Sequence, residues 1–220
     1  MLVLLPAVEA FLLAFVLTAP FVVWLRPRLL TFATGATLVA LGALVIEVEV
    51  GSALAPLIAD TVVLVFIAPV TEELLKFGAS GATGANFSTA AGAGIGFAAT
   101  ENAVYFLAAW NEPVSYLVAL VAIRAATDPL LHATASTLST LTWHGTPWGL
   151  PAAIALHASW NTATLLYVLI DPTAGLALLA AAGIAVLGVL LLLRKSPDVG
   201  WELSNDWRIH PWTGTVYEVG

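Results

Sequence analysis

Apolar residues run along this chain in blocks of about twenty, and short polar stretches separate the blocks. Most blocks show no alternating pattern that would turn one apolar side inward and one polar side to water. They occupy roughly residues 3–25, 30–47, 54–77, 87–110, 114–142, 148–170 and 173–194. Each is near the length of about 20 residues that a helix needs to cross a hydrocarbon core. The pattern predicts an all-α polytopic membrane bundle of about seven transmembrane helices over residues 1–194. Turn formers stand between the blocks: Arg26-Pro27-Arg28, Gly51-Ser52, Asn111-Glu112-Pro113, Gly145-Thr146-Pro147 and Asp171-Pro172. Residues 195–220 form a polar C-terminal tail, too short for a core of its own. Its Trp201, Trp207 and Trp212 suit a membrane interface.

Composition sharpens this picture. The chain is 60% hydrophobic and 10% charged, where a soluble domain carries about a quarter charged residues. Its net charge of −7 leaves no basic footprint, so nucleic acid is excluded as a partner and the lipid bilayer is the expected surroundings. The absence of cysteine excludes disulfides, thiolate metal ligands and thiol nucleophiles. The first apolar run has no charged n-region or small-residue cleavage site and reads as a retained span. Arg26 and Arg28 follow the first span, and Arg194 and Lys195 follow the last. The opposite loops hold Glu47, Glu49, Glu112 and Asp171 without Lys or Arg, which predicts an outside N-terminus and a cytoplasmic tail.

Spans three to six contain residues that are costly in lipid: Glu72, Glu73, Lys76, Glu101, Asn102, Arg124, Asp128, His132, His157 and Asn161. A charge at mid-bilayer costs about 2.5–3.5 kcal/mol on insertion scales, so these groups are expected to converge on a shared interior. Helical spacing agrees. Glu72 and Lys76 form an i,i+4 pair, and Arg124, Asp128 and His132 share one stripe, continued by Ser136 and Thr140. His157 and Asn161 share another, and Glu101 lies on one face with Phe97 and Tyr105. Lys76, Arg124 and Asp128 read equally well as structural ion pairs that fix helix register. Carboxylates together with imidazoles make the set that hydrolysis by an activated water requires. The glycines of 78–96 lack the flanking strand of a dinucleotide loop and read as close helix packing. Asn86-Phe87-Ser88 is discounted as a glycosylation site because it falls on the cytoplasmic side. His144 and His210 read as surface residues.

Glu72-Glu73-x-x-Lys76, Phe97-x-x-x-Glu101-Asn102, His132 and His157-x-x-x-Asn161 resemble the motifs of the PrsW family of intramembrane proteases. That family stands in a superfamily with the type II CAAX-prenyl endopeptidases and the anterior-pharynx-defective subunit of γ-secretase. The resemblance covers about residues 66–165. It implies a cavity lined by the paired glutamates, Glu101, His132 and His157, in a prokaryotic cell membrane. It also implies proteolysis of a membrane-anchored protein, such as an anti-sigma factor. In the prenyl endopeptidases a histidine matches Glu101, and the γ-secretase subunit keeps comparable histidines without catalysis.

The expected reaction is peptide hydrolysis, with Glu72 or Glu73 as general base and His157 with Asn161 orienting the water. Adjacent helix residues point about 100° apart, so one glutamate faces the water and the other holds Lys76 or a neighbouring helix. Glu73, Glu101, His132 and His157 supply enough donors for zinc or another divalent metal. Hydrogen bonds among Glu, His and Asn account for the same residues without one. Two rivals remain: a proton-coupled transporter and a non-catalytic assembly subunit.

Overall fold

The computed structural model describes residues 4–25, 27–54, 60–169, 172–195, 207–209 and 216–218. Among them the chain forms seven long helices. α1 is Leu4–Leu25. α2 runs from Leu29–Thr34 through a π turn at Gly35–Val39 into Ala40–Leu54. α3 runs from Asp60–Val62 through a second π turn, Val63–Ile67, into Ala68–Ala82. α4 is Phe87–Ala108, α5 is Val114–Thr140, α6 is Gly149–Leu169 and α7 is Pro172–Lys195. In the tail, β1 (Trp207–Ile209) pairs antiparallel with β2 (Val216–Glu218), with Arg208 opposite Tyr217, a small addition to an otherwise helical chain.

Among the described residues, four helical segments are long and apolar enough to cross a membrane: Leu5–Leu25, Leu29–Ala53, Val114–Thr140 and Thr173–Leu192. Large apolar side chains such as Val23, Leu38, Val114 and Ile184 point outward, as they do where lipid is the solvent.

Two expected boundaries move. Gly51-Ser52 does not break the second block: α2 continues to Leu54, so Glu47 and Glu49 lie on a helix and not in a loop. Glutamate is a good helix former, and a single glycine costs only about 1 kcal/mol there. The stretch 78–82 belongs to α3, which ends where Gly84 and Ala85 adopt positive φ. Arg26, Asp171, His210, Trp201 and Trp212 lie outside the described residues.

α4 is the centre of the bundle and packs on α1, α2, α3 and α5. It starts with a capping box: the Thr89 amide donates to Asn86 Oδ1, and the Asn86 amide donates to Thr89 Oγ1. That role accounts for Asn86 structurally. The small residues that follow allow backbone to meet backbone. A Cβ on Gly94 would collide with the carbonyl of His132, and one on Gly96 with the carbonyl of Phe32. Thr100 Oγ1 donates to the Ala36 carbonyl at 2.6 Å, joining α4 to the π turn of α2 one residue before Glu101.

Candidate functional site

Four helices deliver the ionisable residues to one place. α3 presents Glu72, Glu73 and Lys76 on adjoining turns, and the three are buried. α4 supplies Phe97, Glu101 and Asn102, α5 supplies Arg124, Asp128 and His132, and α6 supplies His157. The close approach at Gly94 sets α5 against α4 at the level of His132.

Lys76 stands at the middle. Its Nζ lies 2.5 Å from Glu73 Oε1 and donates to His132 Nδ1 at 2.8 Å, while Glu72 Oε2 is farther, at 3.6 Å. The expected i,i+4 pairing with Glu72 is therefore secondary to the i,i+3 bond with Glu73. The ammonium also lies 4.5 Å from the centre of the Phe97 ring, a cation–π contact.

Because Lys76 is a donor only, His132 Nδ1 accepts; its Nε2–H therefore donates to Glu101 Oε2 at 2.9 Å. His157 Nδ1–H donates to Glu73 Oε1 at 2.9 Å, which leaves Nε2 of that ring as an acceptor. The two imidazoles meet edge to face, with centroids 4.9 Å apart.

Glu72 differs from Glu73. Its buried Oε2 has no hydrogen-bond partner and is ringed by three nitrogens: Lys76 Nζ at 3.6 Å, His157 Nε2 at 3.8 Å and His132 Nδ1 at 4.0 Å. Two acceptors, Glu72 Oε2 and His157 Nε2, thus face each other across a gap that a small donor or a cation can bridge. A carboxylate oxygen buried without a partner is costly, so this gap is where a bound donor or cation would relieve the cluster most. Glu73 Oε2 is likewise buried and unpartnered, behind the bonds its Oε1 makes.

A second layer adjoins the first. Arg124 bonds Glu101 Oε1 at 3.1 Å, pairs with Asp128 and donates from Nε to Asn102 Oδ1 at 2.9 Å. Its guanidinium stacks 3.7 Å from the centre of the Tyr105 ring. These contacts hold Glu101 on its Arg124 side and leave one oxygen for His132. At the other end Trp143, in the α5–α6 loop, stacks on Phe77 with ring centres 4.5 Å apart.

Several expectations change at this level. Among the described residues, the donors that approach one another closely enough to share a metal ion are Glu72, His132 and His157, or Glu101, Asp128 and His132. Glu73 is not among them, because Lys76 and His157 occupy its Oε1. Glu101 is drawn to the other side by Arg124, whose guanidinium already neutralises the second group. Asn161 does not join the cluster: its Nδ2 donates to the Leu64 carbonyl, in the π turn of α3, at 2.9 Å. Four residues of helical rise carry it about 6 Å along α6 from His157. His144 is not merely a surface residue, since its Nε2 contacts the carbonyl of Ala85 at 2.6 Å and ties the α5–α6 loop to the strained turn before α4.

Glu47 is the residue that sequence reasoning misassigned. It is half-buried on α2 within electrostatic reach of Glu101, Lys76 and Glu72, and its Oε1 is buried without a partner. The signal available was the apolar run continuing through Val48, Val50 and Ala53, which marks helix beyond residue 47.

No protein family, characterised protein or solved structure matches this chain.

Proposed function

We propose that the chain is an intramembrane hydrolase that cleaves a peptide bond in a membrane-anchored protein, an anti-sigma-factor-like substrate by its resemblance to the PrsW family. The observation that carries this reading is the buried, unpartnered Glu72 Oε2 opposite the free acceptor of His157. A water held between these atoms donates one hydrogen to each, and Glu72 is the general base that takes its proton during attack on the scissile carbonyl. Glu73 is the positioning carboxylate: it anchors Lys76 and fixes the His157 tautomer. Lys76, at hydrogen-bond distance from His132 and Glu73, supplies positive charge near the developing oxyanion. Glu101 and Arg124 orient His132.

The donor chemistry fits a divalent ion such as zinc, held by Glu72, His132 and His157, the His2Glu set of catalytic zinc sites. When bound, such an ion supplies a Lewis acid that acidifies its coordinated water. In this reading all seven helices cross the bilayer, with an outside N-terminus and a cytoplasmic tail.

The test is cleavage of a membrane-anchored reporter by purified protein in lipid nanodiscs. Glu72→Gln should lower the rate about 10²- to 10⁴-fold, the range for removing a general base, at unchanged thermal stability. Exhaustive chelation should abolish cleavage if the ion takes part; full activity afterwards would leave hydrolysis to Glu72 alone. Undiminished cleavage by the double variant Glu72→Gln/His157→Ala would refute the hydrolase reading.

One observation favours a second reading. From Asp128 through Arg124, Glu101, His132, Lys76 and Glu73 to His157, each ionisable group touches the next, as in a proton relay. Proton flux into liposomes that His132→Ala removes, without any cleavage activity, would decide for it.

A further inference from the structure

Lys76 is completely buried, yet it touches the donors that a metal ion would need. Its Nζ takes the lone pair of His132 Nδ1 at 2.8 Å and lies 3.6 Å from Glu72 Oε2, on two of the three residues whose donors can close on one ion. An ammonium and a metal cation cannot both use the Nδ1 lone pair. Placing both beside Glu72 would also set like charges together in a low-dielectric interior.

We infer that Lys76 is an internal cation that competes with a divalent metal ion for the Glu72–His132–His157 donors, so that the site holds either the ammonium or the ion on His132 Nδ1 but not both. The inference rests on the metal-holding role of those three residues and not on the hydrolytic role.

The exchange has an acceptor ready. Glu73 Oε1 holds Lys76 and His157, while Glu73 Oε2 is buried without a partner. The ammonium can leave His132 and remain on Glu73, moving from one carboxylate oxygen towards the other and staying paired throughout. Glu73 is then the hinge of the exchange and the reason a buried lysine can change partners. The adjoining layer does not offer a competing place for the ion, because Arg124 already sits between Glu101 and Asp128. Lys76 thereby sets the affinity of the site: the ion must displace an ion-paired ammonium before its third ligand is available.

The experiment is titration of the full-length, detergent-purified, metal-stripped protein with Co2+, read by the visible ligand-field bands, and with Zn2+ by competition. Lys76→Met should bind about tenfold more tightly or better, within the span of ordinary coupling between sites. His132→Ala should lose binding in both backgrounds. Because Lys76→Met leaves Glu73 buried without its cation, the double variant Glu73→Gln/Lys76→Met serves where the single variant fails to fold, and should show the same gain.

A second measurement uses the wild-type chain. Lysines occur only at 76 and 195, so protein labelled with [13Cε]lysine gives two resonances. Zn2+ should shift the Lys76 resonance and leave that of Lys195 in place. Equal or weaker affinity in the Lys76→Met variants, or an unmoved Lys76 resonance at saturation, would overturn the exchange while leaving the three-residue metal site intact. Failure of every variant to bind either ion would overturn the exchange and the metal site together, with the hydrolytic role of Glu72 still open to the chelation test.

Discussion

Two adjacent glutamates have different tasks because adjacent helix residues point in different directions. Glu73 accepts from Lys76 and His157, whereas Glu72 keeps a buried oxygen without a hydrogen bond. The two should therefore fail differently. Glu72→Gln is expected to fold with wild-type thermal stability and to lack activity. Glu73→Gln is expected to lose about 3–5 kcal/mol, because it strips a buried ammonium of its counter-charge. Thermal unfolding in nanodiscs, alongside the cleavage assay, separates the two effects. Arg124→Met should likewise destabilise, since Glu101 and Asp128 would share a buried space without their common cation. The residue types of this site were legible in the chain, because ionisable groups inside apolar blocks demand a partner. Which glutamate is free was not legible, since that depends on where α5 and α6 bring His132 and His157.

Helix packing fixes those positions, and glycine is the means. Gly94 allows α4 to lie against the backbone of α5 at His132. Gly94→Ala is expected to cost about 1–3 kcal/mol, as overpacking does, and to lower metal affinity by moving His132. Gly183→Ala and Gly188→Ala, on α7 with open space beside them, should be neutral or slightly stabilising. A Gly94→Ala variant with wild-type melting temperature would remove the packing argument. Glycine-rich sequence in 78–96 announced close packing without saying what approached. The end of α2 was misjudged for a related reason: Gly51-Ser52 carries turn propensity, but the apolar run on either side keeps the helix intact to Leu54. Glu47 consequently moves from an expected loop to the edge of the carboxylate cluster.

At the scale of the molecule, the proposed seven crossings set Glu112 on the outer side, between α4 and α5. A cysteine introduced at 112 in this cysteine-free chain should react with an impermeant maleimide applied outside intact cells. Reaction only after permeabilisation would invert the proposed topology. With that orientation Glu72 and Glu73 lie near the middle of α3, and His157 lies about 12 Å into α6 by its helical rise. The cut should fall near the middle of the substrate's span, and mass spectrometry of the released fragment locates it.

The sequence by itself determined that this is a helical, membrane-type chain, because about twenty apolar residues at a time leave the backbone no other way to satisfy its hydrogen bonds in lipid. It also determined the pool of ionisable residues that must find partners, because charge in apolar blocks is too costly to stand alone. Only the tertiary structure decided the pairing within that pool: Lys76 with Glu73 and His132, Glu101 with Arg124, Asn161 with Leu64. Pairing across helices depends on their rotation, depth and distance of approach. Those quantities are fixed by contacts such as Gly94 on His132, between residues far apart in the chain.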